Sequence, residues 1–361
     1  MTQDNIYGKK PEEIDQLLRK LGYAFDNFAN DLARGVIIPL APPFKDYDTY
    51  NGNLIGYYQQ FFDKYLHYLD QIDAQTWLFI NCAIEAYIEK HRHIKVSFNL
   101  LQEVNELIDA IMGGITAYFN GLLSEAYQVM EKAFLRKEKH LLQLIPQIVY
   151  QGGSLYRVRG KCNIKDSKEL FHTPFELRSK CGSYRYSIVG YPSLYVAGSL
   201  DTALKETRIT DTNYSAIRFA TRGVIQCADL SLPNADLTLW ERYALVLFYP
   251  LIMACGLKVK NDKDPFKPEY VIPQILFQII SQHSPLMGAS YTSTRYSKPD
   301  FRDSLQRNFV FRVPKATQAQ GYSKELADLL TCTEPLSPDV NEDVMEVSKR
   351  LLKKDCNNSV L

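Results

Sequence analysis

The chain changes character at Gln151-Gly152-Gly153-Ser154. Before this segment, over residues 11–145, apolar residues recur at the spacing of an α-helix. After it, short β-like runs are mixed with two helical stretches. Strands and helices that do not alternate regularly are typical of the α+β class. The sequence therefore predicts an all-α helical bundle over residues 1–150, a mixed α/β domain over residues 151–330 and a helical tail over residues 331–361.

The periodicity also predicts individual elements. In the N-terminal region a first helix begins near Pro11, and apolar stripes mark further helices around residues 54–72, 77–88, 100–111, 118–134 and 141–145. Gly113-Gly114 is predicted to separate two of these helices. Two more helices are predicted in the second region, at Leu237–Ala254 and Glu269–Gln282. The predicted strands are Leu155–Val158, Leu194–Ala197, Ile217–Ala220, Val224–Asp229, Ser290–Ser293 and Asn308–Val313.

Charge and hydropathy exclude several classes of protein. The chain has 42 Lys and Arg against 41 Asp and Glu, so it has no general attraction to nucleic acid or to an anionic membrane. Its longest apolar run, Tyr243–Leu257, is interrupted by Pro250 and is shorter than the roughly 18 residues that a membrane span requires. The polar N-terminus lacks the apolar core of a signal peptide. We therefore expect a cytoplasmic protein without a membrane or nucleic-acid partner.

Common cofactor and metal motifs are absent from the sequence. There is no GxxxxGK[ST] phosphate loop, no GxGxxG, no GxSxG and no HExxH. The seven cysteines form no CxxC pair, which fits reduced thiols better than a disulfide framework or a zinc site. Among the six histidines, only His91 and His93 approach metal-ligand spacing, in a Lys- and Arg-rich turn that is better explained as solvated. The sequence predicts no metal and no resident cofactor.

The chemistry-bearing residues that remain lie between Leu155 and Glu206. This stretch contains YRVR (156–159), FHTPFELR (171–178) and GSYRYSIVGYPSLYVAGSLDTALKE (182–206). The last segment resembles the signature of the RES domain family, in which a Gly precedes Arg-[Trp/Tyr]-[Asn/Ser], a Tyr follows in an LYxA strand and a Glu closes the next helical turn. The corresponding residues are Gly182, Arg185, Tyr186, Ser187, Tyr195 and, eleven residues after Tyr195, Glu206.

The resemblance extends from about Leu155 to Pro314. The late Ser of the family corresponds to Ser293, in Gly-Ala-Ser-Tyr-Thr-Ser (288–293). One departure is that the usual Gly-Gly-Arg-Trp-Asn is replaced by Ser-Tyr-Arg-Tyr-Ser (183–187), as in a longer branch that contains FHxPFELR. Substrate details of the short RES toxins therefore need not transfer to this chain.

The resemblance implies a fold similar to ADP-ribosyltransferases, NAD as the substrate and cleavage of the nicotinamide–ribose bond. It also implies a toxin or defence effector whose partner is an antitoxin or another regulatory protein. The acceptor stays open. Water would make the protein an NAD glycohydrolase, inorganic phosphate an NAD phosphorylase, and a protein side chain an ADP-ribosyltransferase. A catalytically inactive RES-like binding module is a further alternative.

The residues are compatible with this chemistry. The planar fork of arginine binds phosphate in bidentate fashion, which makes Arg157 and Arg185 candidates for the pyrophosphate. A carboxylate, Glu206, could hold ribose hydroxyls and oppose positive charge on the sugar. An aromatic ring can stack on nicotinamide, which is the role expected of Tyr195. Ser293 could bind a phosphate or position the acceptor.

Each of these residues also has a structural interpretation. Arg185 could be an exposed arginine, Tyr195 a core residue and Glu206 part of a solvated helix face. Arg159 competes with Arg157 two residues away, and Ser290, Thr292 and Thr294 compete with Ser293. Tyr186 and Arg178 are further substrate-binding candidates, although Arg178 could also be an ion-pair residue. His172 is predicted to be structural and not a base. The candidate set is therefore catalytic Glu206, Arg185 and Tyr195, with substrate-binding Arg157, Ser293, Tyr186 and Arg178.

The N-terminal bundle resembles a helical module of the HEPN kind, which in its active form is an RNase. That RNase requires Arg and His on one helix with four to six residues between them. Arg136 and His140 have only three residues between them. We therefore expect a regulatory role or homo-oligomerisation for this region, with an RNase as the weaker alternative.

Overall fold

The computed structural model describes residues 53–92, 97–231, 239–296, 304–314 and 319–361. The chain divides into two compact units, Met1–Pro146 with Leu232–Ala254, and Gln147–Ser231 with Cys255–Leu361. The first predicted helix lies outside the described residues, and the predicted domain borders at residues 150 and 330 remain predictions.

Helices predominate before residue 146, and strands appear only after it among the described residues, as the sequence predicts. The helices are α1 (Leu54–Leu69), α2 (Ala74–Arg92), α3 (Leu100–Phe119), α4 (Leu123–Leu144), α5 (Leu200–Thr207), α6 (Leu239–Gly256), α7 (Val271–His283), α8 (Lys324–Asp328) and α9 (Val344–Lys353). The strands are β1 (Gln147–Tyr150), β2 (Ser154–Arg159), β3 (Leu194–Ala197), β4 (Ser215–Thr221), β5 (Ile225–Asp229), β6 (Gly288–Thr292), β7 (Arg307–Phe311), β8 (Leu330–Cys332) and β9 (Asn358–Ser359). This part of the chain is a mixed α/β structure with its helices concentrated at the N-terminal end.

The prediction that Gly113-Gly114 separates two helices is wrong. Helix α3 continues through both glycines to Phe119, and the turn to α4 follows, where Gly121 adopts a positive φ of 79°. A Cβ on Gly114 would lie 3.0 Å from Cγ of Met130 on α4. The glycines therefore allow α3 and α4 to pack closely instead of breaking the helix.

A tyrosine compensates for a proline inside the first unit. Helix α6 contains Pro250, which has no N–H to donate to the carbonyl oxygen of Val246 four residues earlier. The hydroxyl of Tyr65 on α1 donates to that oxygen at 2.6 Å, and the ring of Tyr65 stacks on Tyr249 with 5.2 Å between the ring centres. A buried carbonyl without a partner costs free energy, so this contact stabilises the helix around Pro250.

The second unit is built on one sheet whose described strands lie in the order β1-β5-β6-β7-β3-β2-β4-β8-β9. Neighbouring strands are antiparallel except β5 and β6, which are parallel. The central strands β6, β7, β3 and β2 are therefore consecutive neighbours, although they are far apart in sequence.

The core of the second unit follows from alternation along these strands. Leu155 and Val196 belong to one buried cluster, whereas their neighbours Tyr156 and Ala197 belong to a second cluster with residues of α5 and α9. All six predicted strands are present with small shifts of their ends. Strands β1, β8 and β9 were not predicted, because they are short and carry few apolar residues in alternation.

Among the described residues, no helix has both the length and the apolar content needed to cross a bilayer.

The Tyr65 contact gives a testable prediction about stability. We expect Tyr65→Phe to lower the free energy of unfolding of the first unit by roughly 1–3 kcal/mol, because it leaves the Val246 carbonyl without its donor. In a Pro250→Ala background, the backbone N–H of residue 250 can donate to the Val246 carbonyl. Tyr65→Phe is then expected to lower the free energy of unfolding by clearly less. Both tryptophans, Trp77 and Trp240, belong to this unit, so urea unfolding followed by tryptophan fluorescence measures it selectively. An equal loss of unfolding free energy from Tyr65→Phe with Pro250 and with Pro250→Ala would contradict this role of Tyr65.

Candidate functional site

A cavity of about 300 Å³ lies in the second unit beside its central strands. Four of the candidates from the sequence, Arg157, Arg185, Tyr195 and Glu206, line this cavity. Arg157 comes from β2, Tyr195 from β3 and Glu206 from α5, so sheet order and not sequence proximity brings them together. Pockets of this size, with apolar walls and a few polar groups, are typical of small-molecule sites.

The segment between β3 and α5 fixes the position of Glu206. Ser199 caps the helix, and its Oγ accepts a hydrogen bond from the backbone N–H of Thr202 at 3.1 Å. At Gly198 a Cβ would lie 2.3 Å from the carbonyl oxygen of Ser304, so only glycine fits where these backbones approach. The helix ends at Thr207, which places Glu206 in its last turn.

The Glu206 carboxylate is held by two hydrogen bonds and one cation. Its Oε1 accepts from Oγ of Ser293 and from Nδ2 of Asn308, each at 2.6 Å. Its Oε2 lies 3.5 Å from Nε of Arg295. Ser293 and Asn308 are buried, with 0% and 3% of their surface exposed. The carboxylate therefore has a fixed orientation, unlike a residue on a solvated helix face.

Arg157 donates from Nη1 to the carbonyl oxygen of Tyr195 at 2.6 Å. Burial, followed by the nearby charge of Arg159, lowers the pKa of the Arg157 guanidinium to about 10, so it remains a cation at neutral pH. Its competitor Arg159 does not line the cavity. The structure thus places Arg157, and not Arg159, at the candidate site.

Arg185 is a buried arginine with only 6% of its surface exposed. Its Nη1 donates to the carbonyl oxygens of Cys255 and Leu257 at 2.9 and 2.8 Å, and its Nη2 donates to Oγ1 of Thr294 at 3.3 Å. The guanidinium also lies 5.2 Å from the ring centre of Tyr270. Arg185 is therefore not an exposed arginine, and most of its donors are occupied by the protein.

Tyr195 lines the cavity and is tied at its hydroxyl. The hydroxyl oxygen accepts from the backbone N–H of Tyr186 at 3.1 Å and shares a hydrogen bond with Oγ of Ser187 at 2.8 Å. Burial raises the pKa of the Tyr195 phenol well above its usual range, so the phenol is neutral at neutral pH. The ring packs beside that of Tyr184, with 5.7 Å between the centres. The two rings form an aromatic part of the wall.

Three candidates lie away from the cavity wall. Ser293 donates a hydrogen bond to Glu206 but does not itself line the cavity. Tyr186 is buried, and its ring packs 4.8 Å from that of Tyr291. Arg178 lies 5.3 Å from the ring centre of Phe175, and its Nη1 is 3.5 Å from the carbonyl oxygen of Gly190. The structure does not bring Tyr186 or Arg178 into the cavity.

Sequence reasoning missed three residues that shape the site. Asn308 and Arg295 contact Glu206. Gln274 on α7 donates from Nε2 to the carbonyl oxygen of Tyr184 at 2.8 Å and to that of Ser187 at 3.1 Å, which fixes the segment that carries Arg185. Asn308 and Gln274 stand in apolar segments, where an isolated polar residue is the signal that could have identified them.

His172 has the structural role that the sequence predicts. It is fully buried; its Nε2 accepts from the backbone N–H of Ser323 at 2.9 Å, and its Nδ1 lies 2.7 Å from the carbonyl oxygen of Thr173. This arrangement requires a neutral ring. Burial lowers the pKa of the imidazole to about 4.

In the first unit, Arg136 forms ion pairs with Glu103, which is buried, and with Glu106. This gives Arg136 a structural role. The side chain of His140, the other half of the HEPN-like pair, lies outside the described residues. In the parts of the chain that are described, no group of three or more His, Cys, Asp or Glu side chains could hold a metal ion.

The low pKa of His172 gives a prediction about pH. Because the pKa is lower in the folded state than the usual 6.5, the folded state loses stability as the pH falls below 6.5, down to about 4. Between pH 7 and pH 5 we expect the wild type to lose about 2 kcal/mol of stability that His172→Gln does not lose. Gln retains an acceptor for Ser323 N–H and a donor for Thr173. Urea-dependent hydrogen exchange of the β2 and β4 amides would measure the free energy of unfolding of both proteins at the two pH values. The same pH dependence in the wild type and in His172→Gln would contradict the prediction.

No family model matches the chain. A protein named "Putative toxin YopC" from Bacillus subtilis (strain 168) is 25% identical over 300 residues, which cover 74% of this chain and 66% of the relative's length. The crystal structure of the M. tuberculosis MbcT-MbcA toxin-antitoxin complex contains a similar chain, with a TM-score of 0.30 and 10% identity over 53% of this chain and 87% of that chain.

Proposed function

We propose that the second unit is a RES-type, ADP-ribosyltransferase-like enzyme that consumes NAD by cleaving its nicotinamide–ribose bond, and that the protein acts as a toxin or defence effector. The observation that carries this proposal is the position of Glu206. Its carboxylate is oriented by Ser293 and Asn308 and lines the same cavity as Arg157 and Tyr195.

The chemistry of the proposed reaction fits these groups. Cleavage breaks the bond between the ribose anomeric carbon and the nicotinamide nitrogen, and the bonding pair leaves with nicotinamide, which becomes neutral. The sugar carries positive charge in the transition state, so a fixed carboxylate such as Glu206 stabilises it. The leaving group needs no proton, and none of the described residues that line the cavity is a histidine, which is compatible with the reaction. Tyr184 and Tyr195 offer rings on which nicotinamide can stack.

Two relationships in sequence support the proposal. The residues Arg185, Tyr195, Glu206 and Ser293 occur in the order and spacing that resemble the RES signature. The chain is also similar to a relative whose name describes a toxin, over most of its length. Convergence of the first three residues on one cavity favours an enzyme over an inactive binding module.

The acceptor of the ADP-ribosyl group is water or inorganic phosphate in this proposal. A second candidate is a macromolecular acceptor. Tyr184, Ile188 and Val189, on the segment beside Arg185, have 51%, 43% and 72% of their surface exposed, which offers an apolar contact surface. An antitoxin partner and homo-oligomerisation through the helical unit remain predictions.

The role of Glu206 can be tested in cells. We expect expression of the wild-type chain to arrest growth and deplete NAD. Glu206→Gln should lower the rate of NAD loss by about 100-fold or more, because it retains the shape of the side chain and removes its charge. Glu169→Gln is the matched control, since the Glu169 carboxylate pairs with the exposed Lys161 at 3.0 Å and does not line the cavity. Equal NAD loss with Glu206→Gln and the wild type would contradict the proposal.

A further inference from the structure

Two arginines hold one carboxylate next to Glu206. Arg295 donates to Asp262 through both terminal nitrogens, at 2.7 Å from Nη1 and 3.2 Å from Nη2. Arg208 forms a second ion pair with the same carboxylate through its Nη2. The paired fork of Arg295 is the geometry with which arginine also binds a phosphate group. We refer to Arg208 and Arg295 as the arginine clamp.

The clamp borders the candidate site. Nε of Arg295 lies 3.5 Å from Oε2 of Glu206, and Arg295 lines the cavity that contains Glu206. Arg295 also lines an adjoining pocket of about 350 Å³, together with Arg208 and Lys205. An anion bound by the clamp would therefore lie beside the carboxylate proposed to stabilise the sugar.

The backbone at Arg208 is unusual. Arg208 ends α5 in the left-handed region, with φ 57° and ψ 30°. A non-glycine residue in this region carries a cost of about 1 kcal/mol or more, and such strain clusters at ligand sites. The Arg208 side chain keeps 50% of its surface exposed while it pairs with Asp262.

Asp262 belongs to a turn at the surface of the second unit. The turn is closed by the backbone N–H of Asp264 donating to the carbonyl oxygen of Asn261 at 3.2 Å. Before it, the backbone N–H of Lys260 donates to the buried Glu269 at 3.0 Å, which anchors the chain independently of Asp262. Within the described part of the chain, the Asp262 carboxylate pairs with the two clamp arginines.

The clamp differs from the other two arginines of the cavity in what it binds. Arg157 and Arg185 donate to backbone carbonyl oxygens, which belong to the fold and cannot leave. The clamp arginines donate to a side-chain carboxylate, which an incoming anion can replace. Replacement of one anion by another keeps both guanidinium groups paired, so it avoids the cost of an unpaired, partly buried cation.

We propose that the arginine clamp is a diphosphate-binding site in which the Asp262 carboxylate stands in for the ligand. This inference rests on the proposed function, because the ligand it assigns is the pyrophosphate of the dinucleotide. The pyrophosphate displaces Asp262, the turn swings outward, and the attached ribose is held against Glu206. Asp262 thereby acts as an intramolecular competitor that sets the affinity of the site.

The test is calorimetric titration of the full chain with inorganic pyrophosphate. Asp262→Asn retains the shape of the competitor and removes its charge, so we expect it to bind pyrophosphate about tenfold more tightly than the wild type. Arg208→Gln is expected to weaken binding by a similar factor. Asp339→Asn, which removes a carboxylate paired with the distant Arg350, is the control and should bind as the wild type does. A gain in affinity on removal of a carboxylate is not expected from a merely structural ion pair.

The proposal of a diphosphate-binding site is wrong if Asp262→Asn binds pyrophosphate no more tightly than the wild type. It is also wrong if neither protein binds pyrophosphate. The KM for NAD separates this outcome from failure of the proposed reaction. If NAD is consumed with an unchanged KM in Asp262→Asn and Arg208→Gln, the reaction stands and the clamp is wrong. If pyrophosphate binds as expected but nicotinamide is not released, the clamp stands and the proposed reaction is wrong.

Discussion

The pair of hydrogen bonds to Oε1 of Glu206 is the interaction on which the candidate site depends. One donor, Ser293, directly follows the end of β6, and the other, Asn308, lies on β7. Glu206 itself is carried by the helix after β3, which is the other neighbour of β7. The antiparallel pairing of these central strands therefore sets the orientation of the carboxylate. A change of register in any of them would move a donor away from it.

The arginines around this carboxylate have two different roles. Arg157 and Arg185 hold backbone carbonyl groups and stabilise the walls of the cavity. Arg295 and Arg208 hold the carboxylate of Asp262, which a ligand can replace. A site that binds a diphosphate group needs cations, but those cations need partners when the ligand is absent. An acidic side chain that a ligand displaces, as proposed for Asp262, would meet both requirements.

Much of the fold and part of the site could be predicted from the sequence. Apolar periodicity identified most of the described helices and the central strands, and motif spacing selected Tyr195 and Glu206, which line one cavity, because these signals are local. The glycines at 113–114 were misinterpreted because their reason is contact with Met130 on another helix. Asn308, Arg295 and the Asp262 carboxylate were missed because their roles arise only from pairing between distant segments. A local pattern does not show which side chain from a distant segment completes an ion pair.

The most direct test of the central claim is nicotinamide release from NAD by the purified full-length chain, measured with and without inorganic phosphate. The account predicts release by the folded protein. Dependence on phosphate would identify a phosphorylase, and release without phosphate would identify a glycohydrolase. Absence of nicotinamide release in both buffers, from protein shown to be folded by hydrogen exchange, would contradict the claim that this cavity consumes NAD.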